Sequence, residues 1–173
     1  MQTNKRSYFT LLSILGAYFL GLTSFAYALP SDKHQPIHIS ADAAQINEKT
    51  GTTTYTGNVL MKQGSMEIKA ARIDLYREKD SVSRIIANGA PANFRQQAAE
   101  DKPITDAFGE KLDDLIAKQT ITITGNAKVQ QEGDQFTGSK IVYQMDKAIV
   151  NAYSGEGETG QRVQMVIQPK AKP

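Results

Sequence analysis

His34 and His38 stand four residues apart, a spacing that on a helix brings two imidazoles onto one face and could chelate a transition metal. Pro36 lies between them, and Ile37-His38-Ile39 alternates as a strand does. On a strand the two rings would sit roughly 13 Å apart at 3.3 Å per residue, so His38 reads as a solvent-facing strand residue. Asp113 and Asp114 form a second candidate, a carboxylate pair of the kind used in general acid–base work. Successive strand residues point to opposite faces, and an acidic turn is the simpler reading. Gly155 to Gly160 (GEGETG) matches the dinucleotide pattern of three glycines. That pattern needs a following helix whose N-terminus faces the pyrophosphate. Here Gln161 to Gln168 alternates like a strand, and Glu156 and Glu158 would repel phosphate, so a flexible hairpin turn is expected. The 173 residues contain no Cys and no Trp, which removes thiol nucleophiles, disulfides, iron–sulfur clusters and Cys zinc sites. The reading is a non-enzyme with no metal site and no cofactor.

The segment Met1 to Ala28 is set apart from the rest. Lys5 and Arg6 precede an uncharged apolar run, Tyr8 to Leu22, which ends near Ala26-Tyr27-Ala28. Small residues at Ala26 and Ala28 suit a signal-peptide cleavage site, with the cut after Ala28. The apolar run is short of the roughly 20 residues a spanning helix needs, and no later segment reads as a membrane span. Cleavage would remove two of the 20 basic residues and none of the 18 acidic ones, leaving an exported chain with balanced charge. A neutral chain is a poor partner for nucleic acid, whose phosphates call for a basic excess. Residues 29–36 are polar and bounded by Pro30 and Pro36, a mobile leader. Residues 169–173 make a short disordered tail.

From Ile37 the rhythm is period two. Ala44-Gln45-Ile46, Met66-Glu67-Ile68, Ile73-Asp74-Leu75, Ile121-Thr122-Ile123, Ala127-Lys128-Val129 and Val163-Gln164-Met165 alternate apolar and polar, as strands with one dry and one wet face do. Turn chemistry recurs at Lys49 to Gly51, Gln63-Gly64, Asn88 to Pro91, Glu132 to Asp134 and Asp146-Lys147. The expected fold is all-β, a sandwich, jelly roll or barrel of many short antiparallel strands. Residues 106–118 carry Leu112, Leu115 and Ile116 at helical spacing and could be strand or helix. The inward candidates include Ile46, Val59, Met61, Met66, Ile68, Ile73, Leu75, Ile86, Phe94, Ile121, Ile123, Val129, Phe136, Ile141, Tyr143, Val150, Val163 and Met165.

The chain also repeats itself. Thr56-Gly57-Asn58 recurs as Thr124-Gly125-Asn126, and the offset that carries Thr56 to Thr124 also aligns Ile68 with Phe136, Arg72 with Lys140 and Ile73 with Ile141. Two such units stacked would share one core. Each unit reads as turn, strand, turn, strand, strand.

A signal peptide followed by Gln35-Pro-Ile-His-Ile39, Thr56-Gly-Asn-Val-Leu-Met-Lys-Gln-Gly64, Gly89-Ala-Pro-Ala-Asn-Phe94, Leu115-Ile-Ala-Lys118 and Thr124-Gly-Asn-Ala-Lys-Val-Gln-Gln131 resembles the OstA-like family of periplasmic lipopolysaccharide export proteins. The resemblance runs over about residues 37 to 168. It departs from the family pattern in two places: the stretch 108–115 lacks the aromatic residue expected near Asp114, and the tail after Pro169 is short. It implies a twisted, open β-jelly roll over 37–168 in the periplasm, with no catalytic residues. Copies would add head to tail, with LptC at one end and the N-terminal domain of LptD at the other. The acyl chains of lipid A would lie in a groove lined by Ile37, Ile39, Phe94 and Ile116 at its mouth and by Met61, Ile68, Ile123 and Phe136 within. Ile73 and Ile141 are expected simply to pack. The edges that join copies would be Ile37, His38, Ile39 and Ser40 at the start, and Val163, Gln164, Met165, Val166 and Ile167 at the end. Two rivals stay open at this point: a non-bridging lipid-binding adaptor of the same fold, and an exported structural β-protein.

Overall fold

The computed structural model describes residues 32–79, 81–155 and 162–169. The expected signal peptide with Ala26 and Ala28, the start of the leader, most of the 169–173 tail and all of the Gly155–Gly160 run after Gly155 lie outside the described residues.

Ten strands form one antiparallel sheet: β1 (His38–Ser40), β2 (Ala43–Asn47), β3 (Thr52–Gln63), β4 (Met66–Glu78), β5 (Ser81–Gln97), β6 (Ile104–Leu115), β7 (Thr120–Gln131), β8 (Asp134–Gln144), β9 (Ile149–Tyr153) and β10 (Gln164–Val166). From β3 to β8 each strand pairs with the next in the chain. At one side β1 and β2 both lie on β3, and at the other β9 and β10 both lie on β8. The ambiguous stretch 106–118 is strand to Leu115 and then a single 3₁₀ turn, Ile116–Lys118. Its helical spacing yields because β5 and β7 offer ladder partners on both sides.

The long strands break register at a shared level, between Thr56 and Val59, Lys69 and Arg72, Asn88 and Ala92, Phe108 and Lys111, and Thr124 and Ala127, with one further shift between Tyr76 and Arg77. Residues 56–58, 88–91 and 124–126 are therefore bulges inside continuous strands and not turns between short ones. Gly57 and Gly125 take φ of +78° and +74°, and Asn58 and Asn126 follow at +45° and +48°. This left-handed pair is open to Gly and tolerated by Asn, which is why the same tripeptide marks both sites. A carboxylate caps each one. Asn58 Nδ2 donates to Asp42 Oδ2 at 3.0 Å, and Asn126 Nδ2 donates to Glu110 Oε1 at 3.0 Å. A Cβ on Gly125 would stand 2.6 Å from the Glu110 carboxyl carbon.

The repeat extends through the pairing. Thr52 opposes Tyr76 as Thr120 opposes Gln144, and Gln63 opposes Met66 as Gln131 opposes Asp134, the second pair of each couple following the first at the repeat offset. Asp42 and Glu110 obey the same offset, as do β2 against β3 and the last part of β6 against β7. The first unit is β1/β2 through β5 and the second is β6 through β9/β10. Strand β6 is the unbroken equivalent of β1 plus β2.

One face of the sheet is dry. Val59, Met61, Met66, Ile68, Ile73, Leu75, Ile85, Phe94, Leu112, Ile121, Ile123, Val129, Ile141 and Tyr143 are buried in one cluster that spans both sides of the bulge line. No helix covers this face among the described residues, so the two halves of the sheet cover each other. Burying each large aliphatic contributes about 1.5–3 kcal/mol. The other face carries ion pairs: Lys62 and Lys69 with Glu67, Arg72 with Asp74, Arg84 with Asp113, and Arg95 with Asp106.

The leader is not loose from Asp32 onward. Asp32–His34 form a 3₁₀ turn, and the Asp32 carboxylate accepts from Ser65 N at 2.7 Å, Ser65 Oγ at 2.6 Å and Gln96 Nε2 at 2.7 Å.

Candidate functional site

Cross-strand register groups the inward residues into rows. One runs Ile39, Met61, Ile68, Phe94, Ala107, Val129, Phe136, Met165 from edge to edge. A second, beyond the bulges, runs Thr53, Leu75, Ile85, Asp114, Ile121, Tyr143, Val150. Between them lies a row with Ile73, Ala87, Leu112, Ile123 and Ile141. An inner face so dominated by apolar side chains can hold hydrocarbon and has little with which to do chemistry.

The expected groove residues fall into two groups. Met61, Ile68, Phe94 and Ile123 are closed in the core. Phe94, expected at the mouth, is only 1% exposed, clamped between Ile68 and Ala107 of the neighbouring strands. Ile37, Ile39, Ile116 and Phe136 are partly buried and pack on the margin of the core. Ile73 and Ile141 pack inside, as read from the sequence.

Four inward assignments are corrected. Ile46 is 70% exposed, because it sits on an outer strand with no further strand beside it. Val163 and Met165 are exposed for the same reason on the opposite edge. Ile86 lies on the polar face, across from Asp74 and Asp113, while Ile85 points in. Counting by two from Phe94 arrives at Ile86, but the bulge at 88–91 shifts the phase by one residue. The same shift hid Ala87; Ala92, Ala107 and Leu112 also point in and had not been marked among the inward candidates.

Both expected edges are wider than the sequence implied. His38 and Ser40 are exposed on β1, but β2 shares that edge. Gln164, Val166 and Ile167 are exposed at the other side, where β9 shares the edge. Apart from Ile104, every large exposed hydrophobic side chain among the described residues belongs to these two margins: Ile46 on one, and Ile149, Tyr153, Val163, Met165, Val166 and Ile167 on the other.

Asp113 and Asp114 do point to opposite faces. Asp113 accepts from Arg84 Nε at 2.7 Å, and this guanidinium holds its carboxyl below the usual carboxylate range against the opposing effect of burial. Asp114 is only 3% exposed, its Oδ1 has no hydrogen-bond partner, and burial, with Asp113 adding repulsion, pushes its pKa up to about 7. The one sequence signal near it was the absence of the aromatic that the family pattern led one to expect.

Three comparisons bear on these surfaces. The family described as LptA/(LptD N-terminal domain) LPS transport protein matches residues 38–149. The lipopolysaccharide export system protein LptH of Pseudomonas aeruginosa is 37% identical over 155 residues, covering 87% of this chain and 89% of that protein. The lipopolysaccharide export system protein LptA of Escherichia coli K12 is 31% identical over 170 residues, 97% of this chain and 88% of that one. The crystal structure of P. aeruginosa LptH, described as the LptA-homologous periplasmic component of a conserved lipopolysaccharide transport device, superposes with a TM-score of 0.73 at 36% identity, covering 81% of this chain and all of that one.

Proposed function

The chain belongs to the LptA/LptD N-terminal-domain family of lipopolysaccharide transport proteins, and from that premise we propose that it is a non-enzymatic periplasmic bridge, joined head to tail, whose inner face shields lipid A acyl chains on the way to the outer membrane. The ends of the bridge would rest on LptC and on the N-terminal domain of LptD. Among the described residues no helix is long and apolar enough to cross a membrane.

Shielding follows from magnitudes. Each exposed CH₂ costs about 0.8 kcal/mol, so a lipid with several acyl chains cannot cross water unaided. The inner face is dry throughout: Ile37, Ile39, Ile116 and Phe136 stand at its margin, where a tail can lie, and Met61, Ile68, Phe94 and Ile123 close the core behind them. Methionines at 61, 66 and 145 suit a surface that must adapt to a sliding ligand.

The observation that carries the bridge is the junction already present inside the chain. The last strand of the first unit, β5, pairs with the first strand of the second, β6. Strands β9 and β10 are the repeat equivalents of β5, and β1 and β2 those of β6, yet both lack the neighbour that this pairing supplies. An unpaired edge invites another chain, and a first edge meeting a last edge propagates without closing. The internal junction also supplies the register. Met165 pairs with Phe136 as Phe94 pairs with Ile68, and Ile39 pairs with Met61 as Ala107 pairs with Val129. Since Phe94 opposes Ala107, Met165 of one copy should oppose Ile39 of the next, with Val150 opposite Ile46.

The chain has no native cysteine, which makes the register testable. Directly opposed residues on antiparallel strands have Cα atoms about 4.5–5.5 Å apart, within disulfide reach. Ile39→Cys with Met165→Cys should give a ladder of disulfide-linked oligomers on mild oxidation. Ile39→Cys with Val166→Cys, whose side chains leave opposite faces, should give little. A folded wild type that stays monomeric across a wide concentration series would refute the bridge and favour a single carrier.

For the lipid, a photo-crosslinker at Ile39 or Ile116 should capture lipopolysaccharide, whereas one at His38 or Lys128, on the outer phase of β1 and β7, should not. Equal capture at all four positions would remove the inner face as the binding surface.

A further inference from the structure

A cavity of about 220 Å³ opens at the margin of the inner face, where the ends of the two sheet halves meet. Its polar lining is Asp114, Asp32, Gln63, Gln96 and Gln119; Met66, Ile116 and Met145 supply most of the rest. Asp114 is the decisive residue. It stands in the inward row between Ile85 and Ile121, neither of which can donate a side-chain hydrogen bond. Its Oδ1 is buried and unpartnered although it borders an open cavity. The basic side chains nearest in register, Arg84 and Lys111, are on the far face and engaged by Asp113. An unsatisfied buried acceptor costs free energy that an incoming donor would recover. The fold does not require an acid here, since the repeat counterpart of Asp114 is Ile46.

We propose that this cavity is a subsite for a primary ammonium group carried on an aliphatic tail, with the Asp114 carboxylate accepting the hydrogen bond and the tail lying on Met66, Ile116 and Met145. The proposal rests on the reading that the inner face binds hydrocarbon. Charge selects the head group. Two carboxyls and no basic side chain line the cavity, so an anion is repelled and a cation favoured. The hydrogen-bonding orphan selects a donor over a quaternary cation. The charged groups nearest Asp114 are Asp113, the next residue on its own strand and turned to the other face, and Asp32, which shares the cavity lining. Neither is cationic. Burial and the Asp113 charge raise the Asp114 pKa, so the carboxylate form needed to hold an ammonium is populated only toward alkaline pH, and capture should be pH-dependent.

The probes are dodecylammonium, dodecyltrimethylammonium and dodecyl maltoside below their micelle concentrations, which share a tail and differ in donors and charge. Calorimetric titration at about pH 8 should show dodecylammonium binding about ten-fold tighter than dodecyltrimethylammonium, since an alkylammonium stays protonated there as lysine does. Asp114→Asn should bring the ratio to within about two-fold, and so should the wild type at about pH 5. Asp114→Ile, which places the counterpart's side chain, should do the same and guards against a variant that fails to fold. Equal binding of all three probes to the wild type at about pH 8, or a preference that survives both variants, overturns the subsite while leaving the apolar face intact. Failure of every probe, lipopolysaccharide included, overturns the groove itself and the subsite with it.

Discussion

Phe94→Asp is expected to abolish the cooperative melting transition. The ring is almost fully enclosed, in the inward row that also holds Met61, Ile68 and Val129. Removing a buried phenyl ring costs about 3–5 kcal/mol as Phe→Ala. A carboxylate in the same place adds an unpaired charge among aliphatic neighbours, against a total stability on the order of 5–15 kcal/mol. Phe94→Ala should therefore remain folded with a lowered urea midpoint, and Phe94→Asp should not fold. Had the ring lined an open mouth, the aspartate would stay hydrated in the lipid-free protein and only binding would suffer. A Phe94→Asp protein that melts within a few degrees of wild type would show that the interior is already open to water without lipid, and would overturn the closed core.

The second large effect is a pH dependence of stability with a sign opposite to that of most carboxylates. The Asp114 pKa is raised from 3.8 to about 7 in the folded chain. Between these values the folded state keeps a proton that the unfolded state has lost, so stability falls as pH rises through this window. The penalty is absent below about pH 4 and complete above about pH 7, and its full size is on the order of 4 kcal/mol. Asp74, Asp113 and Glu67 act the other way. Arg72, Arg84 and the Lys69/Lys62 pair respectively hold their pKa values down. The stability they contribute is present above their unfolded values and is lost only as pH falls below about 4. They add no slope between about pH 5 and 8. Wild type should lose roughly 5–10 °C of melting temperature across that range, and Asp114→Asn should be nearly flat. A wild-type profile without slope, or a variant that keeps it, would show that Asp114 titrates as an ordinary solvated carboxyl.

The two expectations describe one surface. The inner face tolerates no charge at Phe94, in the middle of its core, and carries one at a cost at Asp114, beside the cavity at its margin. A surface that only had to pack against itself would gain by an aliphatic residue at 114. The repeat makes that comparison within one chain: Ile46, the counterpart in the first unit, stands on an edge strand that lacks the neighbour β6 has in β5.

What the sequence determined is what depends on neighbours along the chain. The period of two called for strands, and the recurring Thr-Gly-Asn tripeptides with the constant offset between matching residues called for two units alike. From those alone came the all-β class and most of the core, including Met61, Ile68 and Ile123; Phe94 was expected at the mouth and Asp113-Asp114 in an acidic turn. The tertiary structure decided what depends on strands far apart. Whether Asn88 to Pro91 is a turn or a bulge turns on β4 and β6 pairing on both sides of it, and that choice shifts the phase and sends Ile85 inward in place of Ile86. Whether Ile46 and Met165 are covered depends on whether another strand lies beside them; alternation records the face of a residue but not what is stacked or paired against it. Asp114 shows both sides of this. That an aromatic was missing near it was legible in the sequence, while its inward phase, missing partner and raised pKa follow from the strand pairing of β6 and from burial.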